Sequence, residues 1–247
     1  MVVKYKYGLI GYPLSHSFSP TYFSKKFQKE KIKKTSYLSY PIADLDDLWK
    51  KLPSDILGFN VTIPYKEKII PLLDRLDGSA KSIMAVNTVK SENGLWVGYN
   101  TDVYGFEKSI ETLIGRKKVT EAMVLGNGGA AKAIIHVLKK RNIKVNIISR
   151  KRGYRGYKNL NKEILSKNRL IVNTTPLGMS PNEKTCPEIP YEFIEQKHLL
   201  FDLIYNPKKS LFLKRGERNG ASIKNGLEML HLQAERSWEI WKSTINK

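Results

Sequence analysis

The segment GNGGAA at 126–131 stands between the apolar run Ala122–Leu125 and a helical pattern that continues to Arg141. A glycine cluster that leaves an apolar strand and enters a helix reads as the turn of a dinucleotide-binding βαβ unit, with a plain glycine-rich turn as the competing reading. Gly126 permits the sharp turn, Gly128 and Gly129 leave backbone N–H groups open to a pyrophosphate, and the helix aims its positive end at the same anion. Asn127 and Ala130 complete the loop, with Ala131 in place of a third glycine. A chain built around such a unit is an α/β protein with a parallel sheet.

The next strand, 144–149, points to a cofactor class by the way it ends. NAD sites usually place Asp or Glu there for the ribose 2′-hydroxyl, whereas a 2′-phosphate requires cations. Here Ser149 is followed by Arg150, Lys151, Arg152, Arg155 and Lys158 with no intervening acid. A guanidinium at position 150 can grip a phosphate and stack on adenine, so the residues favour NADP. An ordinary solvated basic loop is the competing reading.

Strand-like and helical patterns alternate along the rest of the chain in two series. The first predicts strands at 5–10, 36–40 and 58–61 and helices at 20–30 and 45–51. After NVTIPYKE it predicts a short helix ending near Leu73, a helix at 79–83, and strands at 86–89 and 95–97 joined through Glu92, Asn93 and Gly94. The second series predicts a helix at 103–113, the glycine-loop unit, strands at 170–173, 199–203 and 221–223, and helices at 211–218 and 227–243. In the last helix Leu227, Leu230, Ala234, Trp238 and Trp241 form an apolar stripe. Gln233 beside them must find a partner or a cleft edge.

Composition removes other classes. One cysteine, Cys186, can form neither an internal disulfide nor a cysteine-rich metal site. His136, His198 and His231 lack partners at ligand spacing, so no metal is expected. His16 reads as a packing residue and not a proton shuttle. The amino-terminal MVVKYKYGLIGYPLSHS has no export-signal pattern, and no run reaches the roughly 18 apolar residues that span a bilayer, so a cytoplasmic protein without membrane contact is expected. Lys and Arg number 43 against 23 Asp and Glu, a formal charge of +20, which invites a nucleic-acid reading. The cations spread along the chain at helix-surface spacing, as in Lys25, Lys26, Lys29, Lys31, Lys33 and Lys34, without interleaved aromatics to stack bases. A solvated basic surface, part of which could steer an anionic substrate, is therefore preferred to a specific nucleic-acid partner.

A dinucleotide site implies hydride transfer, and reduction of a carbonyl needs a proton donor for its oxygen. Lys66 after the strand NVTIP and Asp102 at the end of GYNTD are candidates, a carboxylate orienting an ammonium that protonates a developing alkoxide. At these residues the chain resembles the shikimate dehydrogenase family over its whole length. The matching segments are PLSHSFSP (13–20), NVTIPYKE (60–67), AVNTV (85–89), GYNTDVYGF (98–106), GNGGAA, NTTPLGM (173–179), DLIYNP (202–207) and NGLEMLHLQA (225–234).

The resemblance implies an α/β substrate domain at 1–101, a Rossmann-type NADP-binding domain at 102–225, and a carboxyl-terminal helix at 226–247 that returns to the substrate domain. It implies reversible reduction of 3-dehydroshikimate to shikimate with NADPH, with Lys66 and Asp102 as the catalytic pair. Ser17 and Ser19 would bind the substrate carboxylate; Thr62, Asn87 and Gln233 would hold ring hydroxyls; Asn60 and Tyr205 would line the same pocket. On the cofactor side it implies Gly126, Asn127, Gly128, Gly129 and Ala130 for the pyrophosphate, and Ser149, Arg150 and Lys151 around the 2′-phosphate. Asn173, Thr174, Leu203 and Gly226 would lie beneath ribose and nicotinamide. A monomer or homodimer acting on a small molecule is expected.

Three departures flank the site. Ser149-Arg150-Lys151 replaces the family's Asn-Arg-Thr, Val103 follows the catalytic aspartate where a glycine is common, and Asn225-Gly226-Leu227-Glu228 replaces Asp-Gly-Leu-Gly. A quinate or shikimate dehydrogenase that runs oxidatively with NAD is the near alternative, and it would carry an acid near position 149.

Overall fold

Residues 3–14 and 17–242 are described by a computed structural model, and the chain divides into two units, Met1–Thr101 with Ala234–Lys247, and Asp102–Gln233. The reading of His16 and the extension of the last helix to Ser243 fall outside the described residues.

In the first unit β1 (Tyr5–Gly11), α1 (Phe18–Lys29), β2 (Thr35–Pro41), α2 (Leu48–Lys51) and β3 (Ile56–Val61) are followed by β4 (Arg75–Leu76), α3 (Gly78–Lys81), β5 (Thr88–Glu92) and β6 (Leu95–Tyr99). The sheet order is β2-β1-β3-β5-β6-β4. The first three strands are parallel, whereas β5 runs antiparallel to both β3 and β6. The two strands predicted to be joined through Glu92, Asn93 and Gly94 form this hairpin, which pairs Glu92 with Leu95 across a turn holding Asn93 and Gly94 at positive φ. Helix α1 begins at Phe18 and not at Pro20, so Ser17 takes the N-cap position and Ser19 lies in the first turn.

Side chains of this sheet sort onto two faces. Ile10, Phe59, Val61 and Val89 meet Leu48, Ile69 and Ala80 on one. Tyr7 and Leu9 meet Phe23 and Phe27 on the other, together with Ala234, Trp238 and Trp241 from the last helix. Trp241 is fully buried, stacks on Tyr7 at 5.0 Å between ring centroids, and donates its indole N–H to the Val89 carbonyl at 2.9 Å. Such a ring satisfies its one donor while removing a large apolar area from water.

The second unit contains α4 (Asp102–Ile114), β7 (Glu121–Leu125), α5 (Gly129–Lys140), β8 (Lys144–Ile148), α6 (Lys162–Lys167), β9 (Leu170–Asn173), β10 (Leu199–Asp202), α7 (Leu211–Arg218) and β11 (Ser222–Lys224). Its sheet is wholly parallel in the order β11-β10-β9-β7-β8. Alternate residues go to opposite cores: Ala122, Val124, Leu170, Val172 and Phe201 face α4 and α5, while Met123, Leu125, Ile171 and Leu200 face Leu165, Phe212 and Leu213. Burial on both sides explains why these strands read as continuous apolar runs. Strand order reverses at β7, the switch point outside which ligands bind in open α/β sheets. The α/β architecture with a Rossmann-type sheet is as expected.

The last helix, α8 (Leu227–Lys242), begins in the second unit and contributes Ala234 onward to the first, as the resemblance implied. Lys26 departs from the solvated lysines with which it was grouped: it is buried and paired with Glu30 at 2.5 Å and Glu235 at 2.7 Å. No described helix is long and apolar enough to cross a membrane.

Candidate active site

The carboxyl ends of β1 and β3 and the strand β5 position the polar residues of the first unit. Asn60, the penultimate residue of β3, is buried, and its amide is fully engaged. Its Oδ1 accepts from the Tyr37 hydroxyl at 2.8 Å, and its Nδ2 lies 3.0 Å from the Asn87 carbonyl, Thr88 Oγ1 and Ser237 Oγ. Burial holds the Tyr37 phenol well above its ordinary pKa, against the opposing bond from Ser19. Tyr37 therefore stays protonated, accepting from Ser19 while donating to Asn60. Asn87 Oδ1 accepts the Thr101 N–H at 2.7 Å, and Asn87 Nδ2 donates to Thr101 Oγ1 at 3.0 Å. Ser19, Asn60 and Asn87 thus belong to one buried network completed by Tyr37, Thr88, Thr101 and Ser237.

Ser17 and Thr62 are half-buried beside it. The Ser17 side chain makes no capping bond to α1, and no acid occupies the first turn of that helix. A carboxylate is favoured at such a helix start. Thr62 is fixed by its backbone, its N–H donating to Ile10 O at 2.9 Å.

Lys66 is half-buried, and its backbone carbonyl accepts from Val86 N–H at 2.7 Å. Its neighbour Tyr65 is buried and donates its hydroxyl to the Ile42 carbonyl at 2.6 Å. The chain at position 66 is therefore held by bonds that do not draw on the lysine ammonium. Asp102 opens α4 and is buried, directly after Thr101. It belongs to the second unit and Lys66 to the first. Gln233 is buried, donating from Nε2 to Leu230 O at 2.9 Å, and Tyr205 is half-buried with burial raising its phenol.

The cofactor candidates of the second unit gather at the carboxyl ends of β7, β8, β9 and β10. Gly126 has φ +106, and a Cβ there would lie 2.7 Å from Thr174 Oγ1, so only glycine serves. Thr174 closes the turn from the other side by donating Oγ1 to Leu125 O at 2.7 Å. Gly128 caps α5, whose first turn carries no acid, and a side chain at Gly128 would meet open space. Asn127 and Ala130 are half-buried around it. Ser149 is buried, its Oγ accepting from Lys151 N–H at 3.2 Å, while Arg150 and Lys151 are exposed. An open helix start, a glycine cradle, exposed cations and no carboxylate at the end of β8 fit an anionic dinucleotide with a 2′-phosphate.

Asn173 is buried and its side chain is spent within the fold: Nδ2 donates to Asp202 Oδ1 at 3.0 Å, and Oδ1 accepts from Thr175 N–H at 3.0 Å and Thr175 Oγ1 at 2.7 Å. Asp202 also accepts from Ile204 N–H at 3.1 Å and from the Ser210 hydroxyl. Burial pushes its carboxyl up to about 6, although those hydrogen bonds oppose the shift. Leu203 is half-buried, and Gly226 packs so closely on it that a Cβ would strike the Leu203 carbonyl oxygen.

The model of the shikimate dehydrogenase substrate binding domain matches residues 9–89. A shikimate dehydrogenase (NADP(+)) of Methanococcus vannielii is 40% identical over 258 residues, covering 95% of this chain and 90% of the relative. The chain belongs to the shikimate dehydrogenase family. A solved shikimate dehydrogenase in complex with NADP+ matches with a TM-score of 0.86 at 32% identity, covering 98% of this chain and 92% of that one. The enzyme from Thermus thermophilus in complex with NADP(H) and shikimate matches with a TM-score of 0.84 at 27% identity over 98% and 94%.

For a shikimate dehydrogenase, the residues that sequence reasoning missed are those behind the motif positions: Tyr37, Thr88 and Ser237 in the first unit, and Asp202 and Thr175 in the second. Ser237, a polar residue one step from the Trp238 stripe, was the one with a visible signal. Asn60→Leu is expected to destabilise the protein by about 2 kcal/mol, because the Tyr37 hydroxyl loses its buried acceptor and Ser237 a partner. Denaturant unfolding checks this; an unchanged midpoint would mean that the network repacks freely.

Proposed function

We propose that the protein is an NADP-dependent oxidoreductase that interconverts 3-dehydroshikimate and shikimate, a step towards chorismate and the aromatic amino acids. Likeness to NADP(+)-dependent shikimate dehydrogenases over 95% of the chain carries this reading. Bound NADPH supplies the hydride for the C3 carbonyl carbon. Lys66 donates a proton to the carbonyl oxygen as negative charge develops there, and its neutral amine regains a proton from solvent. Asp102 accepts a hydrogen bond from a ring hydroxyl and keeps the local charge balanced, a role taken from the family motif. Ser17 and Ser19 hold the substrate carboxylate, while Thr62, Asn87, Gln233 and Tyr205 surround the ring. Asn60 acts mainly through the network that fixes Asn87. Arg150, with Lys151 and the Ser149 turn, holds the 2′-phosphate. The enzyme works on a small molecule, as a monomer or homodimer in the cytoplasm.

The test is nicotinamide absorbance with purified protein, shikimate or quinate, and NADP+ or NAD+. Reduction of NADP+ by shikimate, at least tenfold more efficient than with NAD+, is expected. Absence of turnover with every pair would overturn the reading, and equal use of quinate or NAD+ would broaden it. Arg150→Ala is expected to raise the KM for NADP+ about tenfold and leave that for NAD+ within twofold, the loss of one charge-assisted contact. Equal effects on both cofactors would remove Arg150 from the phosphate.

A further inference from the structure

Asp202 is a fully buried carboxylate whose bonded partners are all neutral: Asn173, the Ile204 N–H and Ser210. A buried charge held only by neutral donors is costly unless those bonds are well formed. Its two oxygens divide their partners. Oδ1 takes the Asn173 amide at 3.0 Å and the Ile204 N–H at 3.1 Å, so one atom ties the last residue of β9 to the loop after β10. Oδ2 takes the hydroxyl of Ser210, the N-cap of α7, whose Oγ also accepts from Leu213 N–H at 3.4 Å.

The first of these linkages reaches further. Asn173 passes it to Thr175, whose Oγ1 accepts from Leu177 N–H at 3.3 Å. Ile204 passes it to Gly226 N–H, which donates to the Ile204 carbonyl at 3.1 Å. Asn173, Thr174, Leu203 and Gly226, the strip assigned to the ribose and nicotinamide, are therefore set by segments that meet at one oxygen.

We propose that Asp202 is a positioning residue for the dinucleotide: Oδ1 fixes the loops after β9 and β10 in their cofactor-binding arrangement before the cofactor arrives, while Oδ2 serves only the start of α7. This rests on the proposed NADP-binding role of the second unit. It assigns Asp202 a function through its neighbours and no part in the chemical step.

The test compares three variants of the full chain by calorimetric titration with NADP+ in the absence of substrate, and by thermal unfolding. Asp202→Ala removes both sets of bonds, and its Kd for NADP+ is expected to rise at least tenfold. Asp202→Asn keeps a carbonyl oxygen for Asn173 and Ile204 and turns an amide towards Ser210, so its Kd is expected within threefold of the parent. Ser210→Ala removes the α7 cap and leaves Oδ1 untouched; its melting temperature falls while its Kd stays within twofold. A Kd that follows melting temperature across all three variants would show a merely structural residue and overturn the proposal, as would an unchanged Kd in Asp202→Ala.

Should Asp202→Ala fail to fold, amide hydrogen exchange of the parent protein decides the matter. Protection of the Thr175 and Ile204 amides without cofactor supports the proposal, and protection acquired only with NADP+ overturns it. A parent protein that binds no NADP+ would refute the functional reading itself, a result separable from either outcome for Asp202.

Discussion

Lys66→Ala lowers the turnover of shikimate with NADP+ by two to four orders of magnitude, the span expected when a positioned general acid and base is removed. The loss should fall on kcat, because the interaction removed is strongest when charge develops on the carbonyl oxygen. The fold should survive. The backbone at 66 is held by the bond from Val86 N–H at 2.7 Å, and the neighbouring chain by the Tyr65 hydroxyl on Ile42 O at 2.6 Å, neither of which uses the lysine side chain. Lys66 is itself only half-buried, so its truncation opens no sealed cavity. Lys66→Arg separates charge from proton transfer: a guanidinium keeps the positive charge but holds its proton too tightly to act as an acid near neutral pH. It should bind shikimate with a KM near that of the parent and remain almost as slow as the alanine variant. Near-normal turnover by a folded Lys66→Ala protein would remove the residue from the chemistry.

What the sequence discloses depends on how far apart the interacting residues lie. The strands β7, β9 and β10 of the second unit are legible because each is buried on both faces, which leaves the continuous runs AMVL, LIVN and LLFD. Helix α6, the six-residue KEILSK, escapes because it is too short to establish a period, and its Asn161 cap becomes a signal only once Ile164 N–H is seen to donate to it. Strand β5 is displaced in the reading, from 86–89 to Thr88–Glu92, because Lys90, Ser91 and Glu92 look like turn residues until paired with β6. The family resemblance singles out motif positions such as Asn60 and Asn173. Their supports are not legible: Ser237 meets Asn60 across 177 residues, and Asp202 meets Asn173 across 29. Chain folding creates those partnerships, and no local pattern encodes them.

Gly226→Ala is expected to destabilise the protein by about 3 kcal/mol, near the upper end for overpacking, and to weaken NADP+ binding. Its φ lies outside the left-handed region, so backbone strain is not the cause; the obstacle is proximity. A Cβ at 226 would strike the carbonyl oxygen of Leu203 and lie 2.6 Å from its carbonyl carbon and 3.0 Å from its Cα. These are main-chain atoms, which cannot rotate aside as a flexible side chain does. The Leu203 segment is also fastened by Leu203 N–H on Asn173 O at 3.0 Å and by Gly226 N–H on Ile204 O at 3.1 Å, so relief requires breaking one of them. For a chain of this length the melting temperature should fall by about 6–12 °C. Displacement of Leu203 should then raise the KM for NADP+ while leaving that for shikimate nearly unchanged. Gly78→Ala is the matched control, because a Cβ there meets nothing within 4 Å and the residue begins α3. It should be neutral or slightly stabilising, since alanine loses less chain entropy on folding. If both alanine variants melted at the parent temperature, the close approach of Gly226 to Leu203 would be relieved without cost, and the cofactor strip would be softer than its hydrogen bonds imply.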